Sequence, residues 1–184
     1  VGTPSLGSTS GSFDCSFPDG PASPVVAVQI RDTTSASNEA TRTVTVANLD
    51  PDISDVNAES PVDEGDSSTI TVTATDPAGA NDTLSYRFDC DGDSVFEIGP
   101  QAGNSHVCTY GDDGSFTVNV RVTDGDGGVD TASATVVVAN VDPTITSVLA
   151  DSPIDEGETS TVTVSATDPA GPNDPLSYEF DCDG

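Results

Sequence analysis

Phe116-Thr117-Val118-Asn119-Val120-Arg121-Val122 alternates apolar and polar residues without a break. A period of two carried by Val and Thr puts every second side chain on one face of a half-buried β-strand. Thr69-Ile70-Thr71-Val72-Thr73-Ala74 has the same pattern. Outward from these stretches, no run of ten or more residues has helical periodicity. The 17 glycines and 13 prolines punctuate the chain at short intervals, as in an all-β sandwich. With neither Met nor Trp, the core is expected to be small and β-branched.

The charge narrows the function classes. The 184 residues include 32 acidic and 4 basic side chains, a formal charge of −28. Nucleic-acid binding needs the opposite sign, so that partner is excluded, and an anionic membrane surface is disfavoured. Apolar runs such as Val136–Ala139 are far shorter than the roughly 18–20 residues of a membrane span. Val1-Gly2-Thr3-Pro4 has neither the basic region nor the apolar core of a secretory leader and reads as mature or excerpted sequence.

The chain repeats itself. Residues 48–92 and 140–184 are identical at 31 of 45 positions, including Asp63-Glu64-Gly65 with Asp155-Glu156-Gly157 and Phe88-Asp89-Cys90-Asp91-Gly92 with Phe180-Asp181-Cys182-Asp183-Gly184. Val28-Gln29-Ile30-Arg31-Asp32 aligns with Val120-Arg121-Val122-Thr123-Asp124 at the same spacing of 92. This predicts the C-terminal half of one repeat at 1–48, a complete repeat at 49–140 and the N-terminal half of a third at 141–184. The length is two periods, 2 × 92 = 184. The expectation is a window or tile of a longer array whose partners are neighbouring copies, end to end.

The four cysteines fall at matching repeat positions. Cys90 and Cys108 are predicted to bond within the complete repeat. Closing a loop of 108 − 90 = 18 residues contributes about 3 kcal/mol in the chain-entropy model. Cys15 and Cys182 are each half of the equivalent pair, expected to bond with a neighbouring copy. A thiolate metal site is the rival, but there is no C-x-x-C pair and only one His. Disulfides imply an extracellular or cell-surface setting.

Asp76-Pro77-Ala78-Gly79, then Leu84-Ser85-Tyr86-Arg87-Phe88-Asp89-Cys90-Asp91-Gly92-Asp93, then Val118–Asp124 and Gly127-Gly128 together resemble the PKD (polycystic kidney disease) repeats of bacterial and archaeal surface proteins. Tyr86, Asp89, Gly92 and Asp93 match the family's first motif; Val118, Val120, Val122, Asp124 and Gly127-Gly128 match its second. Arg87-Phe88 and Cys90 stand where a Trp and a Phe are usual, and Asp32-Thr33-Thr34-Ser35-Ala36 lacks the Gly-Gly turn. The resemblance implies tandem immunoglobulin-like β-sandwiches of about seven strands per 92-residue repeat, in adhesion, stalk or spacer roles.

Three acidic clusters are candidates for calcium. Asp89-x-Asp91-x-Asp93 with Glu97, a Gly for the turn and a carbonyl from Val95, has the alternate acids of a calcium loop; the same spacing suits a polar turn closing a strand. Asp124-Gly125-Asp126 with Asp130 reads as a hairpin in preference to a metal turn. The third set is interdomain: Asp63-Glu64 and Asp76 toward the linker Asn48-Leu49-Asp50, and Asp155-Glu156 and Asp168 toward Asn140-Val141-Asp142. Relief of self-repulsion makes cation uptake favourable at this charge.

Catalysis finds little in the sequence. The single His106 has Phe13 at its aligned place and is expected at the surface, and no Gly-rich loop opens a helix. Asn81-Asp82-Thr83 is a glycan sequon, and Gly7–Ser12 is a candidate for O-glycans. The expected function is structural, a calcium-stiffened stalk, adhesin shaft or filament without enzymatic activity. The alternative is an accessory polysaccharide- or protein-binding module of a secreted hydrolase, which needs exposed aromatics; the only tyrosines are Tyr86, Tyr110 and Tyr178.

Overall fold

Phe116–Val122 lies inside a ten-residue strand, Gly114–Thr123, and Thr69–Ala74 inside a nine-residue strand, Ser67–Thr75. They sit in opposite sheets. In the computed structural model, which describes residues 10–182, the strands in chain order are β1 Val25–Arg31, β2 Ser37–Thr43, β3 Asp52–Ala58, β4 Val62–Asp63, β5 Ser67–Thr75, β6 Ser85–Asp89, β7 Ile98–Gln101, β8 Ser105–Thr109, β9 Gly114–Thr123, β10 Val129–Ala139, β11 Thr144–Ala150 and β12 Val162–Thr167. The one helical element described is a 3-10 turn, Gly79–Asn81. Gly7 to Thr9 of the O-glycan candidate, and Asp183-Gly184 of the third repeat's acidic loop, lie outside the described residues.

β3 to β10 form an immunoglobulin-like sandwich. One sheet has the order β4-β10-β9-β6-β7 and the other β3-β5-β8. The period of two aims Val118, Val120 and Val122 of β9 inward with Phe88 of β6 and Val136 of β10, all fully buried, to meet Ile70 and Val72 of β5. Each such side chain contributes roughly 1.5–3 kcal/mol of burial. The Cys90–Cys108 disulfide joins the end of β6 to β8 across the sandwich, Cα to Cα 5.8 Å. Phe88 supplies the aromatic bulk beside it.

The domain has eight strands, one more than the family pattern implies. The additional one is β4, two residues running parallel to β10 at Val138↔Val62 and Ala139↔Asp63. Too short for any periodicity, it is invisible in the sequence. His106 also departs from expectation. It is half-buried, its ring 5.7 Å from that of Phe88, because β8 packs over the core edge.

β9 and β10 close as a hairpin over Asp124–Gly128. Asp124 Oδ1 accepts the amides of Asp126 at 2.9 Å and Gly128 at 2.7 Å. The β1–β2 turn lacks glycines, yet Asp32 Oδ1 accepts the amides of Thr34 and Ala36 at 2.9 and 2.8 Å, and Ser35 takes the left-handed conformation, φ 74°.

The flanking segments are two-stranded sheets, β1-β2 and β11-β12. β11–β12 repeats β3–β5 in register: Thr144 faces Thr167 as Asp52 faces Thr75, and the bulge at Ile145/Ser147 matches that at Ile53/Asp55. Among the described residues their apolar faces lack an opposing sheet. Ile30 is 70% exposed where its counterpart Val122 is 0%, and Phe180 is 59% exposed where Phe88 is 0%.

Candidate metal centres

The turn after β6 gathers the first cluster. Asp89, Asp91, Asp93 and Glu97 each place an oxygen within 4.8 Å of the others. Asp89 is fully buried, and both its oxygens are occupied. Oδ1 accepts the Gly92 amide at 2.7 Å; Oδ2 accepts the Ser94 amide at 2.9 Å and Asn119 Nδ2 at 2.7 Å. Burial opposes its ionisation, but the hydrogen bonds from Asn119, Gly92 and Ser94 outweigh it and hold the carboxyl below its ordinary value. Asp89 therefore anchors the turn. Asp91, Asp93 and Glu97 are exposed; Asp91 and Asp93 accept the amides of Asp93 and Val95 at 3.2 and 2.7 Å.

The interdomain set divides between the two ends of the sandwich. β4 runs beside the exit of β10 and turns Glu64 toward the downstream linker, where Oε1 accepts the Val141 amide at 2.9 Å. The Glu64 amide donates to Ala139 O at 2.9 Å. Asp76 lies at the upstream end, grouped with Asp82 and Asp124. Glu64 and Asp76 thus serve different junctions. Asp63, Asp142, Asp155 and Glu156 are exposed, and Asp168 is half-buried near Asp174. Asp130 Oδ2 accepts the Ile53 amide at 2.8 Å and ties β10 to β3.

Seven further acids occupy the junctions without having been singled out there by the sequence. Downstream, Glu64 is joined by Asp112 and Asp113, from the loop between β8 and β9, and by Asp174 of the following repeat, their oxygens within 4.8 Å of one another. Asn173 Nδ2 donates to Gly111 O across the junction at 2.8 Å, and Ala170 is buried there. With its amide turned to satisfy both ends, Asn140 donates to Asp174 Oδ2 at 3.2 Å. Upstream, Asp82 groups with Asp19 and Asp126, and also with Asp76 and Asp124. Asn48 Nδ2 from the linker donates to Asp124 Oδ2 at 2.8 Å. The available signal was the pair Asn81-Asp82 and Asn173-Asp174, 92 residues apart.

The electrostatics distinguish these acids. The Asn48 hydrogen bond, opposed by burial and helped by the amides of Gly128, Asp126 and Gly127, holds Asp124 below its ordinary value. Burial, followed by Asp126, Asp19, Asp76 and Asp124, pushes Asp82 up. Burial, followed by Asp112, Asp168 and Asp113, pushes Asp174 up. Hard oxygen donors of one sign, brought together by the sandwich and the segments flanking it, are suited to a divalent cation and not to nucleophilic chemistry.

The PKD domain family matches residues 48–138. No curated protein matches the chain. Among solved structures, the chain is similar to the PKD domain of an M14-like peptidase from Thermoplasmatales archaeon SCGC AB-540-F20, with 26% identity, 50% of this chain and 98% of that chain covered, and a TM-score of 0.42. It is also similar to extracellular cadherin domains 1–5 of protocadherin gamma B2, with 14% identity, 80% of this chain and 39% of that chain covered, and a TM-score of 0.36.

Proposed function

Residues 48–138 are a PKD domain, and from that premise we propose that the chain is a non-catalytic structural spacer of an extracellular or cell-surface protein. Its repeats run end to end as part of a stalk, adhesin shaft or filament. PKD domains are non-catalytic modules of extracellular proteins, and no helix among the described residues is long and apolar enough to cross a membrane. The observation that carries the reading is the way both linkers are tied down. Asn48 is bonded to Asp124, Val141 to Glu64, and Asn173 reaches back to Gly111. Linkers held at both ends by side chains of the domain between them, with Asn173 reaching across the downstream junction, set an angle between neighbours, which a loose tether does not.

The accessory-module reading is less well supported, because Tyr86 and Tyr110 lie in the core and Tyr178 alone is exposed among the tyrosines. Calcium enters as the stiffening ion of an acidic shaft. Neighbouring copies are the proposed partners, with Cys15 and Cys182, both exposed and free, the residues that would bond between them. Glycans at Asn81 are compatible with its exposure.

The test is electron microscopy of the native material together with small-angle scattering of the chain. An elongated particle with roughly 35–45 Å per domain, the span of strands of ten or so residues plus turns, is expected. A collapsed or freely jointed particle refutes the spacer reading.

A further inference from the structure

We propose that the junction between the PKD domain and the repeat after it is a calcium site, built from Glu64, Asp112, Asp113 and Asp174, and that the bound ion locks the two domains together. This deepens the spacer reading and rests on it for its role, though not for its chemistry.

The donor geometry is that of one ion. The four oxygens lie within 4.8 Å of one another, about the largest separation open to two ligands that each sit ~2.4 Å from the same calcium. Three donors come from one domain and the fourth, Asp174, from the next, so the ion bridges them. The donors are all carboxylates on loops. Magnesium, which prefers one or two carboxylates in a strict octahedron, is the poorer fit.

A cluster of acids on a surface is ordinary, but Glu64 is not on the surface. It is 2% exposed, and with Oε1 engaged by the Val141 amide, Oε2 is buried without any hydrogen-bond partner. A buried carboxylate oxygen without a donor is costly, and three neighbouring acids raise the cost. No cationic side chain is at hand. The chain has no Lys, and its arginines, Arg31, Arg42, Arg87 and Arg121, all lie on strands β1, β2, β6 and β9. A divalent cation satisfies the free oxygen and the excess charge at once.

The upstream junction repeats the arrangement independently. Asp82, the counterpart of Asp174, caps the 3-10 turn, is 6% exposed and has an unpartnered Oδ2. It faces Asp19 of the preceding segment. Two junctions, 92 residues apart, thus each hold a buried acid with an unbonded oxygen in a group drawn from both sides.

The test is calorimetric titration of the 184-residue chain with calcium chloride, and separately with magnesium chloride. The parent is compared with Glu64→Gln, Asp174→Asn and a loop control, Asp91→Asn/Asp93→Asn. Glu64→Gln keeps the acceptor for Val141, and Asp174→Asn, at a half-buried position outside the strands, guards against a misfolded first variant; melts in chelator check both. Calcium binding in the range of about 0.1–1 mM or tighter is expected, weakened about tenfold or more by either junction variant and unaffected by the loop control. Parent-like calcium binding in both junction variants, or no binding by the parent, overturns the site. Scattering on the same samples separates the two readings. An elongated particle that binds no calcium removes the site and leaves the spacer; a calcium-binding but collapsed particle removes the spacer and leaves the site.

Discussion

Replacing Cys90 and Cys108 by Ala, in a background where the exposed Cys15 and Cys182 are Ser, removes the one crosslink between the sheets of the PKD domain. The bond spans 18 residues. In the chain-entropy model a loop of that length contributes ~3 kcal/mol, by restricting the unfolded chain. A repeat of 92 residues at about 2.1 cal/mol/K per residue has an unfolding entropy of about 0.19 kcal/mol/K. Dividing one by the other gives a fall in Tm of about 15 °C. Cys108 is buried and Cys90 packs against the core, so lost packing adds to this fall. The assay is differential scanning calorimetry in chelator, where a cation cannot mask the change. The Cys15→Ser/Cys182→Ser background should melt with the parent, as both residues are exposed. A fall of less than about 3 °C for the double Ala variant would refute the reasoning, since the crosslink would then restrain nothing the folded sheets do not already hold.

Phe88→Ala is expected to cost about 3–5 kcal/mol, because the ring is fully buried, whereas Phe180→Ala, 92 residues on and 59% exposed, should shift the main melting transition little; comparable losses would show that the two sites share one environment. At Gly128 an added Cβ would collide with Asp124 Oδ2, the acceptor that holds Asn48, and come within 2.8 Å of Asp50 Oδ1 and 3.0 Å of Asn48 Nδ2, so Gly128→Ala should loosen the upstream linker, read as faster amide exchange at Asn48 to Asp50. The pH dependence has two parts. Asp89 and Asp124 are held below their ordinary values, so the stability they contribute is in place above about pH 4 and is lost as pH falls through their folded values. Asp82 and Asp174 are raised, so the folded chain takes up their protons first and is stabilised as pH falls from neutral toward about 4. Without calcium, Tm should therefore pass through a maximum on the acid side of neutral; a steady decline from pH 7 downward would contradict this.

Much of the sandwich is legible in the sequence because its signals are local. The alternation of Phe116–Val122, the Asp-Gly turn after β9 and the spacing of Cys90 and Cys108 each state a geometry within a few residues or one repeat. The junctions are less legible because their geometry depends on tertiary placement. Asp63-Glu64-Gly65 recurs in both copies and names no linker. What sends Glu64 downstream is β4, two residues long, which finds its place beside β10 only after the chain has gone around the whole sandwich. Asp112 and Asp113 look like any polar turn until the Asp174 loop is set against them. His106 is misread for the same reason: a lone polar residue on an edge strand gives no sign of the Phe88 ring beneath it.

The hairpin β11–β12 keeps the register and the bulge of β3–β5 although no sheet among the described residues faces it. Its shape is thus encoded between residues at most 75 − 52 = 23 apart, whereas the β4–β10 pairing joins residues 138 − 62 = 76 apart. Closing the shorter loop costs less entropy. As each repeat leaves the ribosome, its leading hairpin can settle before the closing strands have been made. An array built this way would assemble in the order of its synthesis, each new repeat meeting a predecessor already folded and waiting for it.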